Sequence, residues 1–236
     1  MYKELAKYYD LFYSGKDYQK EAKTITQIIK KYKKSHGRDL LDLACGTGIH
    51  TKMLKAVGFK VLGLDISEPM LKIARKNLPG VKFVVADMIN FKLNRKFDVI
   101  TCMFSSMGYA KTYDRLQSMI ATISKHTKDG GVVVLESWVA RKKFISNLIS
   151  LETVDKPEAK ISRMSISKRQ GNISIVTFHY MIGNKGEINY FQDRHECGLF
   201  EPKRVKKIME RAGFKTYIKQ NGWLKDRPIF VGVKHV

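Results

Sequence analysis

Leu40-Leu41-Asp42-Leu43-Ala44-Cys45-Gly46-Thr47-Gly48 is the stretch on which the fold turns. Its first five residues read as a buried strand. The strand runs into a glycine loop and then into a helix-like segment through Ala56. Gly46 and Gly48 have no Cβ, so the backbone can turn sharply and lie against a ligand at the carboxyl end of a parallel sheet. Thr51 stands where the dinucleotide fingerprint carries its third glycine, which weakens a pyrophosphate-binding reading. Asp65 ends the next apolar run, roughly the 20 residues on at which an acidic side chain meets ribose hydroxyls. Asp87 ends a third run, Val85-Ala86-Asp87-Met88, where a carboxylate can accept from an adenine amino group. Singly, each of these is an ordinary turn glycine or helix cap. Together, three successive strand ends carry groups suited to a nucleoside.

Working outward, residues 18–35 place Ala22, Ile25, Ile28, Ile29 and Tyr32 at helical spacing, with Gly37 as a stop. Downstream the chain alternates: strand 60–64, helix 68–77, strand 81–86, strand 97–103, helix 113–126, strand 132–136. Lys128-Asp129-Gly130-Gly131 and Leu78-Pro79-Gly80 supply turn signals between helix and strand. This pattern predicts an α/β fold, a doubly wound and mostly parallel sheet of the Rossmann-like kind. After Val139 the grammar changes. Residues 161–169, 172–182 and 187–197 read as strands with no helix between them, an antiparallel β insertion before the last two strands. A helix at 200–213 and strands at 215–220 and 229–236 close the chain. The expected division is an α/β domain of residues 1–138 and 198–236, with an insertion of residues 139–197 on the acceptor side.

With 236 residues, 44% of them hydrophobic, the chain can bury a substantial core. No apolar run is long enough for a membrane helix, and MYKELAKYYD carries charges where a signal peptide is apolar, so a cytoplasmic protein with no membrane partner is expected. Cys45, Cys102 and Cys197 are far apart and form no CxxC pair, so no metal or disulfide framework is expected. The net charge of +22 attracts polyanions. The cations are 33 Lys against 11 Arg, and Lys30-Lys31-Tyr32-Lys33-Lys34 and Lys203-Arg204-Val205-Lys206-Lys207 fall in helix-like stretches, where a solvated face is the usual reason.

The strand, loop and acid pattern of residues 40–136, with the closing strand 229–233, resembles the class I S-adenosylmethionine-dependent methyltransferases. The resemblance implies that S-adenosylmethionine is the cofactor. Asp42 would face its methionine amino group, Ala44, Gly46 and Gly48 would line it, and Asp65 would hold the ribose. Asp87 and Met88 would contact adenine, Met103 would close the methionine side, and Tyr18 and Ile66 complete the set. A closer resemblance runs nearly end to end. Tyr9-Asp10-Leu11-Phe12-Tyr13, Gly15-Lys16-Asp17-Tyr18, the Gly loop with His50, Met103-Phe104-Ser105-Ser106-Met107-Gly108-Tyr109 and Leu199-Phe200 are similar to strings of the N,N-dimethyltransferases of nucleotide-linked 3-amino sugars. That resemblance implies N-methylation of a dTDP-type amino sugar, with Tyr13, Ser105, Ser106, Tyr109 and Trp138 at the acceptor. It also puts His126 in the acceptor pocket as proton acceptor, with Tyr13 positioning the amine. A helix-ending histidine favoured by the macrodipole would look the same. The chain departs from that family at Ile166, where a histidine is usual, at Ser137, where a proline is usual, and in a shorter link between Tyr13 and Lys16.

Strand alternation over 161–169 puts Arg163, Ser165, Ser167 and Arg169 on one face, two guanidinium forks and two hydroxyls suited to a diphosphate. A polar solvent face gives the same pattern. The alternative readings are a methyltransferase of another small amine or of RNA, and a non-catalytic cofactor-binding protein on the same fold. Nucleic acid is the less favoured partner, because no basic patch interleaved with aromatics stands out. A homodimer is the candidate assembly.

Overall fold

The computed structural model describes residues 5–220 and 226–236; residues 1–4, the start of the charged N-terminal stretch, and residues 221–225 lie outside the described residues. Two helices, α1 (Ala6–Phe12) and α2 (Tyr18–Tyr32), precede β1 (Asp39–Leu43), α3 (Ile49–Ala56), β2 (Lys60–Asp65), α4 (Glu68–Asn77), β3 (Lys82–Val85) and β4 (Phe97–Cys102). After a 3₁₀ turn at Ser106–Ala110 come α5 (Tyr113–Lys125), β5 (Thr127–Glu136), β6 (Ile149–Asp155), β7 (Lys160–Gln170), β8 (Ile173–Asn184) and β9 (Glu187–Gly198). The chain closes with α6 (Pro202–Arg211), β10 (Phe214–Lys219) and β11 (Ile229–Lys234).

The main sheet has the order β10-β11-β5-β4-β1-β2-β3. Its strands β1 to β5 are mutually parallel, β11 runs antiparallel to β5, and β10 antiparallel to β11. The doubly wound sheet expected from the alternation is therefore present. Strand periodicity explains its two layers. Val132 and Val134 on β5 join Leu40, Ile25, Ile29 and Leu54 on one face, while Val133 and Leu135 join Leu41, Leu43 and the apolar stripe of α5 on the other. That stripe, Leu116, Met119, Ile120 and Ile123, is fully buried, and each such side chain contributes about 1.5–3 kcal/mol relative to exposure. The Asp17 carboxylate caps α2 by accepting from Lys20 N at 2.8 Å. Order reverses between β1 and β4, so their carboxyl ends open a crevice at the switch point.

The second sheet, β6-β7-β8-β9, is wholly antiparallel. It has four strands where three were expected. Ile149 and Leu151 of β6 lie exposed on its outer face, so the strand shows no buried alternation. The inner face carries Ile161, Tyr180 and Ile182, packed against Leu5, Leu11 and Phe12 of the α1 region. Helix α1 went unread in the sequence because seven residues fall short of what helical periodicity needs to register. β5 begins at Thr127, earlier than residue 132. Thr127 pairs with Phe97, the register shifts before Val99, and the Lys128-Asp129-Gly130-Gly131 turn signal is absorbed as an irregularity within the strand. No helix among the described residues is long and apolar enough to cross a membrane.

Candidate active site

At the switch point lies an open cleft, walled by the end of β1, the glycine loop, α1, the first turn of α2, the start of α3 and the loop after β4. Ala44, Gly46 and Gly48 take left-handed backbone with φ of 52°, 56° and 83°. A Cβ on Gly46 would meet open space, which leaves its face clear for a ligand to approach the backbone. The Asp65 carboxylate accepts from Gly46 N and from Ser67 N, both at 2.8 Å, so the acid ending β2 fixes the loop ending β1. Burial pushes the Asp65 carboxyl up against the pull of these backbone bonds. Beside it Ile66 is 68% exposed, an apolar face next to a ribose-binding acid.

Asp42 is buried beneath the cleft and accepts from Thr51 Oγ1 at 2.7 Å and Thr101 Oγ1 at 2.8 Å; burial raises its carboxyl too. Beside the cleft stands Lys16. Its Nζ lies 4.4 Å from the Tyr18 ring and 4.2 Å from the Phe104 ring, and it donates to Glu21 at 2.5 Å. Glu21 also bonds His50 Nε2 at 2.9 Å. Burial alone would raise the Glu21 carboxyl, but the His50 and Lys16 bonds outweigh it and hold it below its ordinary value. Asp10 on α1 accepts from Thr47 Oγ1 at 2.5 Å, tying that helix onto the glycine loop, and burial pushes the Asp10 carboxyl up. Sequence reading missed Lys16, Glu21 and Asp10 as site residues. Asp10, Lys16 and His50 stood inside the strings that carry the resemblance, but what joins them is packing.

These residues fit S-adenosylmethionine: a carboxylate and an ammonium for its charged methionine half, an anchored acid for its ribose, an exposed apolar side chain for adenine. Tyr18, Ala44 and Met103 line the cleft as expected. Asp87 is half-exposed, accepts from Ile89 N at 2.9 Å and faces Arg115 at 3.6 Å. The side chain of Met88 belongs to the main core, which leaves only its backbone for adenine.

The acceptor side differs more from expectation. His126 stands at the amino end of β5, one strand length, about 16 Å, from the cleft along β4. Its Nδ1–H donates to Thr122 O at 2.8 Å, its Nε2 accepts from Leu93 N at 3.0 Å, and its ring packs 4.6 Å from Phe91. Both nitrogens are engaged, so the expected proton acceptor is a buried helix-ending residue. Arg163 is buried as well. Its guanidinium lies 3.9 Å from the Phe12 ring and 4.5 Å from Phe178, and it donates to Tyr13 Oη at 2.9 Å and to Glu152. Arg169 is exposed, six residues or about 20 Å along the strand, so the two forks do not form one diphosphate clamp. Ser167 is spent on Ile145 O and Leu148 N, while Ser165 is half-buried on the same face.

Tyr13 does stand at the site, its ring 5.0 Å from Phe104, which lines the cleft. Ser106 lines the cleft beside it. Ser105 donates its hydroxyl to Ser137 O at 3.0 Å and its N–H to Glu136 Oε2 at 3.2 Å, and its Oγ accepts from Arg227 at 3.2 Å. Arg227 lies 4.3 Å from the Trp138 ring. Glu136 Oε1, Trp138 Nε1 and Arg163 Nε are buried without a partner, and buried polar atoms ordinarily have one. Tyr109 hydrogen-bonds His195 Nδ1 at 2.5 Å across the seam between the sheets.

A family model described as a methyltransferase domain matches residues 40–131. The chain is 36% identical, over 95% of both sequences, to the dTDP-3-amino-3,4,6-trideoxy-alpha-D-glucopyranose N,N-dimethyltransferase of Streptomyces venezuelae. Its fold superposes on the crystal structure of Streptomyces venezuelae DesVI with a TM-score of 0.91, covering 97% of this chain and 98% of that one at 36% identity. It also superposes on the SAM-bound amino pentose methyltransferase CalS10 of Micromonospora echinaspora with a TM-score of 0.83, at 30% identity over 94% of this chain and 93% of that one.

Proposed function

The chain belongs to the S-adenosylmethionine-dependent N,N-dimethyltransferases of nucleotide-linked amino sugars, and from that membership we propose that it methylates the amino nitrogen of a dTDP-linked amino sugar. The observation that supports this reading is the wall of the cleft opposite the glycine loop. Phe104 and Ser106 of the loop after β4 line it, and the Tyr13 ring packs 5.0 Å from Phe104. These are groups that can seat a polar acceptor beside the cofactor loop.

S-adenosylmethionine, when bound, supplies an electrophilic methyl group on a sulfonium. The residues of the chain have to hold a neutral amine lone pair in line with it and keep water out. Asp42 and Lys16 take opposite charges to the methionine half, Asp65 the ribose and Ile66 the adenine. Phe104 packs edge to face against Tyr9 at 6.5 Å and Tyr13 at 5.0 Å, the two tyrosines are tilted 4.9 Å apart, and together they would shield the reacting groups from water. The diphosphate falls to Arg227, whose guanidinium is steadied by Ser105 and Trp138, in place of Arg163.

Transfer of labelled methyl to a panel of dTDP-amino sugars, free amino sugars, small amines and RNA tests the reading. Turnover confined to the nucleotide-linked sugars supports it. Equal turnover on the free sugars, or turnover on RNA alone, contradicts it.

A further inference from the structure

The loop after β4 turns at Met103–Ser106 in a conformation its residues do not ordinarily take. Ser106 N donates to Met103 O at 3.1 Å and closes the turn, and both central residues are left-handed, Phe104 with φ of 53° and Ser105 with φ of 60°. Two positive φ values in succession make a type I′ turn, where Gly, Asn and Asp are the usual residues because a bulkier side chain is crowded there. A phenylalanine followed by a serine keeps that shape only where the surroundings over-determine it. The closing bond of the turn leaves the Ser105 N–H unused, and with Ser105 4% exposed the amide needs a partner from elsewhere in the protein.

That partner is Glu136, the last residue of β5. Its Oε2 accepts from Ser105 N at 3.2 Å, and the residue is 1% exposed. Alternation along β5 puts Glu136 on the face that carries Val132 and Val134, the face covered by Ile25 and Ile29 of α2. The Ser105 hydroxyl completes the hold. It donates to Ser137 O at 3.0 Å and accepts from Arg227 at 3.2 Å. On either side of Ser105, Phe104 and Ser106 line the cleft.

We propose that Glu136 is a positioning residue: through the Ser105 amide it holds the left-handed Phe104–Ser105 turn, which sets Phe104 and Ser106 in the cleft wall and Ser105 Oγ against Arg227. Only the kinetic readout of this proposal rests on the amino-sugar reading above. The carboxylate acts through the turn and not on the reacting atoms. Without it the Ser105 N–H is a buried orphan, and the two crowded residues lose the bond that offsets their backbone cost. The turn then relaxes toward negative φ, which carries the Phe104 ring off Tyr9 and Tyr13 and Ser106 out of the wall. Burial pushes the Glu136 carboxyl up while Arg227 pulls it down. Either protonation state keeps an oxygen able to accept from Ser105 N, so the hold needs the oxygen and its reach, not the charge.

The test compares Glu136→Gln, Glu136→Asp and Glu136→Met. Acceptor kinetics are read beside two quantities that need no acceptor, the calorimetric Kd of S-adenosylhomocysteine and the backbone chemical shifts of Phe104 and Ser105. Glu136→Gln keeps an oxygen at the same reach and should hold acceptor KM within about threefold. Glu136→Asp keeps the charge one methylene short of the amide, and Glu136→Met keeps the bulk without an acceptor. Each should raise acceptor KM by about tenfold, the low end of what a hydrogen bond to a charged group carries, with Kd within about twofold of wild type. In both, the Ser105 shifts should leave the left-handed range. Should the methionine variant fail to fold, the aspartate variant carries the same test. A glutamine variant as impaired as the aspartate one, an aspartate variant as active as wild type, or Ser105 shifts unmoved in Glu136→Asp overturns the positioning role. Wild type that methylates no amine overturns the functional reading instead, and the Ser105 shifts alone then decide whether Glu136 holds the turn.

Discussion

The two halves of the cleft are built on different principles. The cofactor half hangs on backbone: left-handed residues of one loop, amide groups pointing at Asp65, and carboxylates buried at the ends of β1 and β2. The half proposed for the acceptor hangs on side chains from distant parts of the chain: Tyr13 at the end of α1, Phe104 and Ser106 after β4, Arg227 from before β11. Where backbone makes the site, few substitutions reach it and those that do act on one ligand. Where stacked side chains make it, each position can be retuned, which is how one scaffold takes different acceptors.

The largest separation between the halves should come from Asp65→Ala. Losing hydrogen bonds to a charged group costs about 1.5–3 kcal/mol, a roughly 10- to 150-fold weaker cofactor affinity by calorimetry, with acceptor KM at saturating cofactor unmoved. Acidification should act on the same half. Burial raises both Asp42 and Asp65, so their ionised forms are lost from above the ordinary carboxylate range as pH falls, and cofactor affinity should drop there by up to about tenfold per pH unit for each group. An affinity flat down to the ordinary carboxylate range would break this half of the contrast.

His126→Ala should touch neither half. Two hydrogen bonds at roughly 0.5–1.5 kcal/mol each set a stability loss of about 1–3 kcal/mol, read as a lower Tm, while the pH–rate profile parallels wild type. A changed profile would return His126 to the chemistry. The smallest effect belongs to Arg169→Ala, which should leave acceptor KM within about twofold because the side chain is exposed and remote from the cleft.

The same contrast explains what could be read from sequence. Asp42, Gly46, Gly48 and Asp65 lie within one strand–loop–helix–strand unit, where spacing along the chain is spacing in the molecule. Tyr109, Asp193 and His195 meet only because the 3₁₀ turn after β4 packs on β9, 86 residues apart for the Tyr109 to His195 bond, and no local period encodes that. The misplaced His126 shows the converse. It ends a helix, and a helix in a doubly wound sheet returns the chain to the amino edge, away from the ligand crevice. Strand alternation put Arg163 on one face of β7 with Ser165, Ser167 and Arg169 but could not show that Phe12, Phe178, Glu152 and Tyr13 already surround it.

Calorimetric titration of S-adenosylhomocysteine into Tyr13→Phe, paired with its acceptor kinetics, tests most directly whether the halves are separately built. Cofactor Kd within about twofold of wild type, alongside a raised acceptor KM, is the predicted result. A cofactor Kd that weakens in step with the acceptor parameters would contradict it.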